Sequence, residues 1–326
     1  MSRKVYYAII AAFCAAIAVA FVLYTDLLSS TARDLRGIIL IKTENPEYDF
    51  WRLVSQGAEA GAREFGVNLE IAAPADEDSL EAQLALLDWA VEQTPDFIVL
   101  APQDRVQFRE AASRVRKAGI RLILMDSTVE AGEQAADCFV GIHNAEAAAL
   151  LSSEMTKALG GRGQVAILAH PTASSTAHER LEAISAALAG WPGIELVEVV
   201  ISGDNPERSR EETLRLLEQY PDLAGIIATN QMCTQGVAEA LQRHPERDIA
   251  FYAFDTAPSQ NAALEAGIAD GFIVQLAFNM GYLSVQAGWQ SCTDQLAVGR
   301  IDSGYVYATR ENMREDDMEK LIYPFV

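Results

Sequence analysis

The chain has 326 residues, half of them apolar, enough for two globular domains with cores of their own, so extended disorder is excluded over most of its length. Asp and Glu number 46 against 25 Lys and Arg, a formal net charge of −21 that repels a phosphate backbone and sets the chain against nucleic-acid binding.

The first element is the most biased. Arg3 and Lys4 precede an uncharged apolar run from Val5 to Tyr24, with Asp26 beyond it. About 20 such residues, rising about 1.5 Å each, match a hydrocarbon core of about 30 Å. The basic pair holds the short leading side in the cytoplasm and sends the rest of the chain out. Residues 1–36 are therefore expected to be a membrane anchor and linker. The competing reading is a cleaved signal peptide, with small-residue sites at Ala18-Val19-Ala20 or Ser30-Thr31-Ala32, which leaves a periplasmic or secreted protein. Cys14 follows the bulky Phe13, which speaks against lipidation there. Cys138, Cys233 and Cys292 lack metal-ligand spacing and read as small buried hydrophobes.

From Gly37 onward short β-type runs alternate with helical periods. Strands are predicted over 37–42, 67–72, 97–101, 121–125, 138–142, 164–169, 194–201, 224–229, 249–254 and 272–276, with helices such as 50–65, 77–92, 106–118, 145–159, 176–188, 207–219 and 234–244 between them. This alternation predicts α/β architecture with parallel sheets. Ten strands strain one twisted sheet, whereas two sheets of five or six are ordinary. The helix after Asn144 stops at Gly160-Gly161-Arg162-Gly163 and the series begins again. The expectation is two doubly wound lobes joined by a hinge, one made of residues 37–143 plus 276–304 and the other of 144–275 plus 305–326, with Tyr305-Val306-Tyr307-Ala308 as a further extended piece.

Ligands of open parallel sheets bind beyond the carboxyl ends of the strands. The residues there are Tyr48, Phe50 and Trp51 after the first strand and Asp126 after the fourth. A loop ending near Arg180 follows the sixth, Asn230 follows the eighth, Asp255 the ninth, and Gln275 lies within the tenth. Flat rings that pack on C–H faces, together with planar polar groups that serve several hydroxyls, suit a sugar or polyol. Each position has a bland alternative. Phe50 and Trp51 are also a plausible buried helix start, Asp126 and Asp255 helix N-caps, and Arg180 the partner of Glu179 or Glu182. Asn230 also reads as a turn residue and Gln275 as a strand-surface residue. His170 and His178 flank the loop before Arg180, where they are candidates to line the cleft, but surface histidine is the preferred reading.

The sequence resembles the type I periplasmic binding proteins, in particular the ribose-binding-like group that also includes effector domains of lac-repressor-type regulators. The resemblance runs from Gly37 to Asn312. It is carried by Phe50-Trp51 with Gly57-Ala58, Asp96 to Pro102 with Asp104, Ala118-Gly119-Ile120 with Asp126, and Gly141 with Asn144. Arg180, Asn230 with Gly236, Phe254-Asp255, Gln275 and Gly281-Tyr282 complete it. It implies a stacking pair at Phe50 and Trp51, hydroxyl-binding carboxylates at Asp126 and Asp255, a cationic donor at Arg180, and amide partners at Asn230 and Gln275. Four positions depart from the group's pattern. Ser127 stands where Arg is common, Gln231 where an acidic residue is, Tyr48-Asp49 where Asn-Pro is, and Asp204 where an aromatic is.

No glycine-rich phosphate cradle, His-x-x-x-His pair or Gly-x-Ser-x-Gly elbow occurs, so neither enzyme chemistry, a metal nor a cofactor is expected. The expected function is capture of a sugar or small polyol by hinge closure, outside the cytoplasm. The expected partners are an ABC permease or a membrane sensor, either a histidine kinase or a chemoreceptor. The alternatives are a lac-repressor-like ligand domain without its DNA-binding headpiece, or an enzyme on a related scaffold.

Overall fold

The computed structural model describes residue 17 and residues 35–76, 79–255, 258–293, 295 and 299–322. The expected anchor at 1–36, Cys14 included, lies almost wholly outside the described residues, as do residues 77–78 at the start of the second predicted helix. No helix among the described residues is long and apolar enough to cross a membrane. The unit Arg36–Val326 is described below.

Two six-stranded sheets organise it. The first is ordered β11-β5-β4-β3-β1-β2, from β1 (Leu35–Leu40), β2 (Val67–Ala72), β3 (Phe97–Leu100), β4 (Arg121–Met125), β5 (Cys138–Gly141) and β11 (Arg300–Asp302). The second is ordered β12-β10-β9-β8-β6-β7, from β6 (Arg162–Ala169), β7 (Gly193–Ile201), β8 (Leu223–Ala228), β9 (Ala250–Phe254), β10 (Gly271–Gln275) and β12 (Tyr305–Ala308). The two orders are the same when β1 to β5 are matched with β6 to β10. The one difference is that β11 runs parallel to β5, whereas β12 runs antiparallel to β10.

This is the two-lobed parallel α/β fold that the alternation predicts. β3, Phe-Ile-Val-Leu, is buried at every residue, because helices cover both faces of the sheet and leave no polar side for the chain to alternate towards. Edge strand β7 has one side uncovered and keeps Val199 and Ile201 exposed. Each sheet has its own apolar core. One gathers Ile38, Leu87, Phe108 and Leu122, the other Leu168, Leu216, Phe251 and Phe272.

Helices α1 (Asp49–Phe65), α2 (Leu80–Glu92), α3 (Phe108–Lys117) and α9 (Ala277–Cys292) accompany the first sheet. Helices α4 (Asn144–Ala158), α5 (Ser175–Ala189), α6 (Pro206–Gln219), α7 (Gln231–Gln242), α8 (Pro258–Glu265) and α10 (Asp316–Ile322) accompany the second. α1 buries Trp51, Val54, Gly57, Ala58, Gly61 and Ala62, a small-residue stripe at helical spacing. It ends at Gly66, whose φ of 66° lets its N–H turn back to the Ala62 carbonyl. The stripe packs on α9, and α9 in turn covers β3, β4 and β5.

The chain passes between the sheets at residues 142–143, 276 and 303–304. These crossings lie side by side. Ser303 donates its N–H to the Gly141 carbonyl (3.1 Å), and Leu276 donates to the Gly304 carbonyl (3.1 Å). The Arg300 Nη2 donates to the Ile142 carbonyl at 2.7 Å.

Candidate functional site: a closed cavity between the two sheets

A cavity with about 380 Å³ of empty space lies at the carboxyl ends of both sheets. From the first-sheet side it is lined by Lys42, Tyr48, Phe50, Trp51 and Asp126, and from the other by His170, Thr176, Arg180, Asn230 and Gln231, with Asp255 and Gln275. All eight positions named from the sequence therefore face one space. Lys42 and Thr176 join them unannounced, together with His170 from the loop before Arg180 and Gln231, one of the departures from the group's pattern.

The two carboxylates hold equivalent places, Asp126 directly after β4 and Asp255 directly after β9. Each sits at positive φ, 62° and 61°. That backbone costs most residues about 1–2 kcal/mol, and Asp is among the few side chains that tolerate it. The turn aims both carboxylates inward from opposite lobes. Asp126 Oδ2 accepts from Lys42 Nζ at 2.8 Å and from Ser127 Oγ at 2.9 Å. Asp255 Oδ1 accepts from Gln275 Nε2 at 2.6 Å, and Arg180 Nη1 stands 3.8 Å from its Oδ2. The N-cap reading thus gives way to two buried, hydrogen-bonded carboxylates.

Arg180 lies in the second turn of α5 rather than in the loop before it. It is 2% exposed. Its Nε donates to Asn144 Oδ1 and its Nη1 to the Thr229 carbonyl, both at 2.8 Å, while its guanidinium lies 4.2 Å from the Phe254 ring centre. A surface pair with Glu182 is thereby replaced by a buried cation held through its Nε and Nη1. Asn230 is both a cap and a wall residue. Its Oδ1 accepts from the Cys233 N–H (3.0 Å) at the start of α7, and its Nδ2 donates to Asp204 Oδ1 (2.6 Å). Trp51 is buried, meets Phe50 edge-on at 4.9 Å, and has the Lys42 ammonium 5.8 Å from its ring centre.

The reading of His170 as a surface residue is corrected. The ring is buried, its Nδ1 lies 2.8 Å from Thr229 Oγ1, and burial, with Arg180 and Lys42 nearby, holds it well below the usual histidine range and therefore neutral. His178 is half-buried beside Glu182. Cys138 and Cys233 are buried, as expected, and their thiols are pushed up to about 11 and about 12 by burial; Cys292 is only half-buried.

Three of the four departures from the group's pattern lie at one seam between the lobes, and the fourth, Ser127, bonds its neighbour Asp126. Tyr48 Oη donates to the Asp204 carbonyl (3.3 Å), Gln231 Nε2 to the Glu47 carbonyl (2.8 Å), and Ser127 to Asp126. The first two bonds cross the gap between the lobes. So do Arg105 N–H to the Ala173 carbonyl (2.9 Å) and Thr128 N–H to Ser175 Oγ (2.7 Å), so this conformation is closed. Lys42 brings beside Asp126 the positive charge that Ser127 cannot.

Two buried carbonyl oxygens of the wall, Gln231 Oε1 and Gln275 Oε1, find no donor among the described residues. Buried acceptors of this kind are costly unless something donates to them. Burial raises the Asp255 carboxyl above its ordinary 3.8, against the opposing effects of Arg180 and Gln275. A carboxyl raised by folding favours the fold fully only below its unfolded pKa and loses that contribution as pH rises through the folded value. Asp255→Asn should therefore flatten the stability profile of the unliganded protein over the pH range above the ordinary aspartate value. Melting curves across that range test this, and a parent profile no steeper than the variant's would refute it.

Residues 38–295 match the family model described as a periplasmic binding protein domain, and the chain belongs to that family. A D-apiose import binding protein of Paraburkholderia graminis is 24% identical over 233 residues, 72% of this chain and 73% of that protein. A xylitol-binding protein of Mycolicibacterium smegmatis is 22% identical over 227 residues, 68% of this chain and 63% of that one. An ABC transporter solute binding protein from Burkholderia graminis, solved in complex with D-arabinose, superposes with a TM-score of 0.81 at 25% identity, covering 87% of this chain and 98% of the other. A carbohydrate transporter solute binding protein from Agrobacterium radiobacter, also with D-arabinose, shares the fold with a TM-score of 0.84 at 20% identity, covering 89% and 99%. The resemblance read from the sequence thus holds at the level of family and fold.

Proposed function

We propose that this chain is an extracytoplasmic receptor that closes its two lobes around a neutral sugar or polyol and presents it to the permease of an ABC importer, held at the membrane by its N-terminal segment. The observation that carries this reading is the composition of the cavity. Aromatic faces from one lobe and alternating donors and acceptors from both are gathered where two carboxylates face two cations. The charges of Lys42 and Arg180 are matched by Asp126 and Asp255, which favours an uncharged ligand. The orphaned amide oxygens are acceptors that suit hydroxyl donors. The names of the relatives, an apiose import protein and a xylitol-binding protein, point the same way.

In this reading residues 37–143 with 276–304 and residues 144–275 with 305–326 move as two bodies about the adjoining crossings. The ligand draws the population towards the closed form by binding it more tightly than the open one. Calorimetry of the full chain in mild detergent against D-ribose, D-arabinose, D-xylose, D-apiose and xylitol tests the proposal. Trp51→Ala and Asp255→Ala should each weaken the bound member at least tenfold, about 1.4 kcal/mol. Retention of affinity by both variants would place the site elsewhere, and silence from the whole panel would reject a small polyol.

A further inference from the structure

A second chamber, partly open to solvent and with about 650 Å³ of space, that opening included, lies beside the central cavity. It too draws on both lobes: Leu80, Gln103 and Asp104 come from one, and Pro171, Ala173, Ser174 and Asp204 from the other, with His170 shared by both spaces. The partition is one residue thick at His170 and elsewhere is made of paired residues, one lining each space, joined by single hydrogen bonds. The imidazole of His170 borders each side. Asp204 Oδ1 accepts from the Asn230 amide across it at 2.6 Å, and Gln103 Nε2 donates to the Lys42 carbonyl at 2.9 Å. A polar partition of side chains is unlike the packed apolar layer that normally separates a binding cavity from the surface.

We infer that the ligand is longer than one sugar unit, with one ring in the central cavity and a second hydroxylated unit in the chamber beyond His170. This rests on the sugar reading above and extends it. The chamber has the chemistry for such a unit. Leu80, Pro171 and Ala173 offer apolar contact to a ring face. Gln103 Oε1 is buried and takes no donor among the described residues, so a ligand hydroxyl would satisfy it. Neutral His170, its Nδ1 beside Thr229 Oγ1, has a second ring nitrogen to offer. Among the described residues that line the chamber there are two carboxylates and neither lysine nor arginine, so a neutral unit is accepted and a phosphorylated one rejected.

The test is calorimetry on the full chain in mild detergent. The probes are D-xylose, D-arabinose and D-ribose as single units, xylobiose and arabinobiose as double units, and ribose 5-phosphate as the anion. The expected result is that at least one double unit binds tenfold or more tightly than its single unit, and that ribose 5-phosphate binds at least tenfold more weakly than ribose. Ala173→Trp, at an exposed position, should erase the advantage of the double unit while leaving single-unit affinity within about twofold, which also shows that the variant is folded. Double units that bind no better than single ones, or an advantage that survives Ala173→Trp, would overturn the second chamber and leave the sugar reading intact. Absence of binding by every probe would remove the second chamber, and silence from D-apiose and xylitol as well would remove the sugar reading with it.

Discussion

Gly281→Ala is expected to destabilise the protein by at least about 3 kcal/mol, at the top of the usual range for overpacking, and Gly57→Ala to do the same. A Cβ on Gly281 would stand 1.9 Å from the Val54 carbonyl oxygen, and one on Gly57 1.9 Å from that of Phe278. Both obstacles are backbone, so no rotamer change relieves them and α1 and α9 must separate. Domains of this kind are stable by only about 5–15 kcal/mol, so the loss is large. Urea unfolding measures it, with Gly299→Ala, whose Cβ meets nothing within 4 Å, as a control expected to stay within about 0.5 kcal/mol. A Gly281→Ala protein as stable as its parent would mean that the two helices do not touch there. The crossing also bears on function: α1 carries Phe50 and Trp51 at its first turn, and α9 starts two residues after Gln275. Relieving a 1.9 Å contact takes more than about an ångström of helix separation, which shifts the aromatic pair relative to the hinge, and ligand affinity should fall with stability.

Arg180→Met is expected to cost about 3–5 kcal/mol of stability, the range for removing one member of a buried charged pair, and at least a hundredfold in ligand affinity. The side chain fills its place with apolar contact but abandons Asn144 Oδ1, the Thr229 carbonyl and the Asp255 carboxylate together. Arg180→Lys should rescue little, because one ammonium cannot reproduce a planar fork that serves an amide, a carbonyl and the Phe254 ring at once. Without the guanidinium the Asp255 carboxyl, already raised by burial, rises further, so binding should become more sensitive to pH. Adding Asp255→Asn to Arg180→Met should return part of the lost stability, since no carboxylate is then left buried without a cation. Additive losses in the double variant, measured by urea unfolding, would show that the two groups do not interact.

The sequence by itself determined the class of fold and the places where a site would lie. Strand and helix periods are local, and a parallel sheet covered on both faces writes them as unbroken apolar runs such as Phe97 to Leu100. The rule that ligands bind beyond strand ends then selects Asp126, Asn230, Asp255 and Gln275 without any knowledge of how the lobes meet. The tertiary structure decided which of those groups are engaged and with what. Tyr48 meets Asp204 across 156 positions of sequence and Lys42 meets Asp126 across 84, so no local window contains either pair. His170 has no sequence mark that separates a buried imidazole from an exposed one, because its burial comes from Thr229 and the opposite lobe. β11 is three residues long, too short for a period to register, and becomes a strand only by pairing with β5. Local pattern encodes which face of an element turns inward, whereas the partner it meets there depends on chain closure over long separations, and closure is what makes the two cavities.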